Sequence, residues 1–318
     1  GANALLTGGV IADEGDLFDL TANVILAMRE PLRAVRPDWV LVQGDTTTVW
    51  AGALAAFYEG VRVGHVEAGL RTFDKRQPFP EEINRRLCTA LTDLHFAPTE
   101  QSRANLLNER VTPSQIVVTG NTVIDALHWV LERVLRDPPD EVRELQRWVA
   151  QHVGDRRIVL ITGHRRESFG EGFENICHAI ATLAGQFPDV HWVYPVHLNP
   201  QVQEPVRRVL GDVSNVHLLA PLSYAPFSWL MQRSTLILTD SGGVQEEAPS
   251  LGKRVLVMRN TTERPEGVEA GCVTLVGNGR ERIVAEASKC LRDGTAAVAV
   301  SPYGDGRASE RIAAALRR

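Results

Sequence analysis

"TLILTDSGGVQEEAPSLGKRVLVM" (residues 235–258) sets two apolar, strand-sized runs, "TLILTD" and "RVLVM", on either side of a glycine turn and a short helix. Strand, turn, helix and strand in that order make a βαβ unit, whose strands lie parallel in one sheet. The joining helix opens on Ser241, Gly242 and Gly243, so free backbone amides and the positive end of its dipole face whatever lies beyond the strand. Glycine lets a pyrophosphate approach the backbone closely. Glu247, one turn later, is spaced to accept from ribose hydroxyls. A Ser-Gly-Gly turn is common by itself; with Glu247 and with Arg264 in "RNTTERPEG" (259–267) it reads as a nucleotide-diphosphate site. Neither a GxxxxGK[ST] loop nor a GxGxxG fingerprint occurs, which disfavours nucleoside triphosphate hydrolysis and NAD binding.

The same alternation extends outward in both directions. "RIVLITG", "VHWVYPV", "NVHLLA" and "CVTLV" read as further strands of this half. Ahead of a "RDPPDEV" break, "DWVLVQ" (38–43), "VRVGHVE" (61–67), "LHFAP" (94–98) and "IVVTG" (116–120) read as buried strands of another. Between them "TTTVWAGALAAFYEG" and "EEINRRLCTALTD" read as helices, the first with Trp50, Ala53, Leu54 and Phe57 at helical spacing. The expected fold is α/β, with two doubly wound, Rossmann-like domains. The expected division is 1–119 joined by the terminal helix 304–318, and 120–303. Only one helix precedes the first clear strand, so the first domain is expected to lack its initial βα units.

Bulk properties agree. A chain of 318 residues suits two domains of roughly 150 residues. A formal charge of −5 gives no basic footprint for nucleic acid. Four scattered cysteines without a CxxC pair suggest neither a zinc site nor a disulfide framework, and fit a reducing cytoplasm. No apolar run approaches the roughly 20 residues of a membrane helix, and no metal site is expected.

Polar motifs follow the strands, where doubly wound sheets bind ligands. Asp45 in "QGDTTT" reads either as a helix N-cap or as a functional acid. Glu67 in "HVEAGLRT" ends an apolar strand and caps nothing obvious. Glu81 and Glu82 after "QPFP" suit the positive end of a helix, or the chemistry of a site. Converging carboxylates push their pKa values apart, which lets one act as acid while another acts as base. In "ITGHRRESFGEG" (161–172), His164, Arg165 and Arg166 follow a strand directly and suit an anion, since arginine forks match phosphate oxygens. His197 in "PVHLNP" reads equally as a ligand or as an ordinary loop histidine.

Taken with "PFPEEINRRL", "VTGNTVIDAL" and "PYGDGRAS", these motifs closely resemble the non-hydrolysing UDP-N-acetylglucosamine 2-epimerases of bacteria, from about residue 20 onward. The resemblance implies a glycosyltransferase-B-like architecture, a cleft between the domains as the active site, and a last helix crossing back to the first domain. It implies interconversion of UDP-N-acetylglucosamine and UDP-N-acetylmannosamine without a cofactor, by elimination of UDP to 2-acetamidoglucal and re-addition. It makes Asp45, Glu67 and Glu81 the acid/base carboxylates and places His164 near the diphosphate. Ser241, Gly242, Gly243 and Arg264 would hold phosphate, Glu247 the ribose and Phe227 the uracil. Arg166 and His197 would contribute to a neighbouring site where substrate acts as an allosteric activator. A homodimer in cell-surface polysaccharide synthesis is implied as well. The family's "GTRPE"-like loop and downstream lysine do not occur before Asp45. A UDP-sugar glycosyltransferase of the same architecture, a hydrolytic epimerase and an inactive UDP-sugar-binding relative are the alternatives.

Overall fold

The computed structural model describes residues 16–165, 168–294 and 300–317. Its contacts divide the chain into two compact units, one running to Thr122 and resuming at Tyr303, the other covering Val123–Pro302.

In the first unit, strands β1 (Trp39–Gln43), β2 (Arg62–Val66), β3 (Leu94–Ala97) and β4 (Ile116–Val118) pair in chain order, all parallel. Helices α1 (Leu17–Val35), α2 (Thr47–Tyr58), α3 (Glu81–Leu91) and α4 (Glu100–Asn108) accompany them. Val42 and Val63 meet Val49, Ala53 and Ala56 of α2 on one face. On the other face, Ile312 of the last helix, α13 (Ala308–Leu316), packs with Val66 and Phe96. The chain's end therefore completes the core of its first unit.

Two readings of this unit need correction. Trp50 and Ala53 do pack, but the buried residues of α2 are Thr47, Val49, Ala51, Gly52, Ala53, Ala55 and Ala56, while Phe57 stays 60% exposed. Small residues permit the close approach of α1, so backbone proximity rather than side-chain bulk sets the buried face. The strand 39–43 is also not buried throughout: Val42 is, but Leu41 remains 48% exposed on what is, among the described residues, an edge strand.

The second unit opens with α5 (Thr122–Arg136) and α6 (Asp140–His152), on either side of the proline break. Its six-stranded sheet contains β5 (Arg157–Thr162), β6 (Val190–Pro195), β7 (Val216–Leu219), β8 (Leu236–Thr239), β9 (Arg254–Val257) and β10 (Val273–Leu275). The strand order is β10-β9-β8-β5-β6-β7, parallel throughout. Helices α7 (Glu171–Gln186), α8 (Pro200–Leu210), α9 (Tyr224–Arg233), α10 (Gly242–Ser250), α11 (Pro265–Glu269) and α12 (Arg280–Asp293) cover the sheet. Ile158, Val159, Leu160 and Ile161 of β5 are fully buried, as the continuous apolar run requires when both faces are covered. In this order the chain reverses direction between β5 and β8. A doubly wound sheet offers its ligand crevice at that switch point.

Candidate active site

The switch point carries the anion-binding groups. Thr162 pairs with Thr239 at the ends of β5 and β8, and their hydroxyls lie 2.5 Å apart. Asp240, next in the chain, is completely buried. Its Oδ2 accepts the backbone N–H groups of His164 and Arg165, each at 2.8 Å. Its Oδ1 lies 3.3 Å from His164 Nδ1. The loop after β5 is thus anchored on the first residue beyond β8, and the His164 ring stacks on His197 at 5.6 Å. Burial holds the imidazole below its ordinary pKa, with the charges of Arg165 and His197 adding and Asp240 opposing. Arg165 keeps a buried Nε without a hydrogen-bond partner among the described residues. His197 Nδ1 accepts from the Asn199 amide, leaving Nε2 as its donor. Arg166 lies outside the described residues.

Ser241 is the N-cap residue of α10 and makes no side-chain cap, so the first amides of the helix are not taken up by its hydroxyl. Arg264 stands beside them: a Cβ added to Gly242 would come within 2.7 Å of its Nη1. The Arg264 charge is embedded in a buried network, with Glu246 at 2.5 Å, Glu263, and Arg259 beyond Glu263. One turn into α10, Glu247 accepts a 2.5 Å hydrogen bond from the Tyr224 hydroxyl. Burial, with Glu246 adding, pushes the Glu247 carboxyl up to about 7, and the Tyr224 hydrogen bond opposes this. Phe227, on the same helix as Tyr224, is half-buried against the core of the unit.

The first unit carries the acids, and two of them leave adjacent strand ends. Gln43 pairs with Val66, so Gly44–Asp45 and Glu67 leave neighbouring parallel strands at matched ends. A Cβ on Gly44 would lie 3.5 Å from Glu67 Oε2. The Gly44 carbonyl accepts from the buried His65 Nε2 at 2.8 Å. Burial drops the His65 pKa to about 4, so the ring is neutral and donates from that nitrogen. Asp45 is not the cap of α2; that position is Thr46, and no side chain caps it. The Asp45 Oδ2 instead accepts from Arg85 Nε at 3.1 Å and Nη2 at 2.7 Å, while Asn84 Nδ2 holds the Asp45 carbonyl at 2.9 Å. Glu67 occupies the left-handed region at φ 67°, a conformation costing a non-glycine residue on the order of 1 kcal/mol. Glu81 opens α3 with one carboxylate oxygen buried and, among the described residues, without a partner.

The sequence profile of the UDP-N-acetylglucosamine 2-epimerase family matches residues 5–317. The chain belongs to the UDP-N-acetylglucosamine 2-epimerase family. It is similar to the UDP-N-acetylglucosamine 2-epimerase of Escherichia coli K12, at 55% identity over 306 residues, 95% of this chain and 81% of that protein. Among solved structures, the Neisseria meningitidis UDP-GlcNAc 2-epimerase bound to UDP-GlcNAc superimposes with a TM-score of 0.91 at 45% identity, covering 96% of this chain and 83% of that one. The Methanocaldococcus jannaschii UDP-GlcNAc 2-epimerase in complex with UDP-GlcNAc and UDP gives 0.81 at 33% identity, covering 96% and 82%. The architecture, two parallel-sheet units, is that of these epimerase structures.

Several residues that hold these candidate groups carry little or no signal in the sequence. Asp240 sits inside the quoted turn, and its signal was available: an acid directly after a buried strand, ahead of the helix start. Tyr224, Asn84 and Arg85 gave no local signal, because each acts on a residue 23 to 40 positions away.

Proposed function

We propose that this chain interconverts UDP-N-acetylglucosamine and UDP-N-acetylmannosamine by elimination and re-addition of UDP. The Ser241 hydroxyl and the amides of Gly242 and Gly243, with Arg264 and His164, receive the diphosphate; Glu247 takes the ribose and Phe227 lies against the uracil. Asp45, Glu67 and Glu81 manage the proton at C2. In the first step the C2–H bond yields its proton to a carboxylate, its electrons form the C1–C2 double bond, and the C1–O bond breaks toward UDP. A proton then reaches C2 from the opposite face while UDP re-forms the bond to C1. The C2 proton is only weakly acidic, so the step depends on stabilising the diphosphate as it departs. Oriented amides and cations give that stabilisation without reorganisation, and carboxylates carry the proton. No cofactor enters this scheme.

The observation that carries the reading is that Asp45 and Glu67 leave matched ends of neighbouring strands, with Asp45 held by Asn84 and Arg85 of the helix that Glu81 opens. A glycosyltransferase would leave those acids without a task. Incubation with UDP-N-acetylglucosamine alone in deuterium oxide tests it: the product expected is UDP-N-acetylmannosamine carrying deuterium at C2. Free N-acetylmannosamine with UDP would make the chain a hydrolase, and turnover only with an added acceptor would make it a transferase.

The described residues include no helix long and apolar enough to cross a membrane. With every cysteine free, we place the enzyme in the cytoplasm, as a homodimer. We assign Arg166 and His197 to a second, activating substrate site.

A further inference from the structure

We propose that Arg85 is a positioning residue for this reaction, fixing one oxygen of Asp45 and tying it to the loop ahead of Glu81; this rests on the function proposed above. Helix α3 buries Glu82, Asn84, Arg85 and Cys88, a face that is mostly polar. Burying such groups costs stability unless each is hydrogen-bonded, and here each has a partner. The Arg85 side chain, 3% exposed, directs Nε and Nη2 to Asp45 Oδ2 and Nη1 to Glu82 Oε2 at 3.0 Å. Glu82 in turn accepts the backbone amides of Thr72 and Phe73, each at 3.1 Å. One planar fork therefore joins the turn after β1 to the segment after β2.

The arrangement is asymmetric at Asp45. Both Arg85 donors fall on Oδ2, which leaves Oδ1 outside this network on a side chain 28% exposed. Asn84 grips the backbone of the same residue, so side chain and main chain are fixed from one helix. Glu81 precedes Arg85 by one turn on the same helical face. Arg85 thereby sets the placement of one acid relative to another without needing to touch the sugar. A lysine would supply the charge but not the fork.

The test compares wild type, Arg85→Lys and Arg85→Ala for epimerisation rate, UDP affinity by calorimetry and thermal unfolding. Wild-type turnover in the same assay separates failure of this inference from failure of the proposed function. Arg85→Lys is expected to lower kcat by about 10- to 100-fold, as a small misplacement of a reacting group does, with UDP affinity and KM within about threefold. Arg85→Ala should lose more, and added guanidinium ion should recover part of it, a response that mere loosening of the fold would not give. If the alanine variant does not fold, the lysine variant decides. A folded Arg85→Lys protein with kcat within about threefold of wild type overturns the proposal. So does a loss in kcat matched by an equal loss of UDP affinity.

Discussion

Glu247 offers the most quantitative test of the nucleotide side of the site. Its carboxyl is displaced from an ordinary 4.5 to about 7, first by burial and then by Glu246. Between those pH values the folded state holds a proton that the unfolded state has released. Stability is therefore fully present below about pH 4.5, falls as pH rises toward 7, and levels off beyond. At about 1.4 kcal/mol per pH unit the linkage amounts to roughly 3 kcal/mol. Glu247→Gln keeps an oxygen that can accept from the Tyr224 hydroxyl but carries no titrating proton. In urea unfolding at pH 5, 6, 7 and 8, the wild type should lose stability relative to this variant. The two should be similar at pH 5, and the variant more stable at pH 8 by on the order of 2–3 kcal/mol. A ribose diol donates best to the ionised carboxylate, so the ratio of wild-type to variant affinity for UDP should rise from pH 6 to pH 8, the variant serving as the control for titration of the phosphate itself. Stability curves that stay parallel across this range would refute the assignment of a buried, proton-retaining carboxyl at Glu247.

Other perturbations probe the remaining parts. Gly242→Ala sets a methyl within 2.7 Å of Arg264 Nη1, whose guanidinium is held by Glu246 and Glu263; UDP affinity measured by calorimetry should fall by more than tenfold. Asp240→Asn weakens the anchor of the His164–Arg165 loop, and the same titration should show UDP binding weakened by about 1–3 kcal/mol. Glu67→Gln should keep UDP affinity while removing proton exchange at C2, as followed by NMR in deuterium oxide. Gly69→Ala places a Cβ 2.3 Å from the Ser102 carbonyl oxygen at φ 93°, so thermal unfolding should report a loss of more than about 3 kcal/mol.

The two-unit α/β plan was legible because parallel strands covered on both faces are nearly continuous β-branched runs, as in β5 and β8. The Ser241–Gly243 helix start was legible for a related reason, since turn chemistry is local. The packing face of α2 was not. Helical spacing picked out Ala53 and Trp50, which do pack, but also Phe57, which stays exposed, and it passed over the buried Ala51, Ala55 and Ala56. Asp45 shows the general difficulty. An acid just ahead of a helix fits a cap, and only the three-dimensional placement of Arg85, forty positions later, shows that its carboxylate is held elsewhere. Glu247 could be nominated from its spacing to the glycines, but its raised pKa depends on burial and on Glu246, which one-turn spacing does not reveal.

Whether the bond between C1 of the sugar and the diphosphate breaks and re-forms at this site can be measured directly. Substrate labelled with ¹⁸O in the bridge between the hexose and the β-phosphorus is incubated with the protein and followed by ³¹P NMR. If UDP departs and returns, rotation of the freed phosphate moves the label into non-bridging positions at a rate comparable to epimerisation. Epimerised product that keeps all of its label in the bridge would contradict the account.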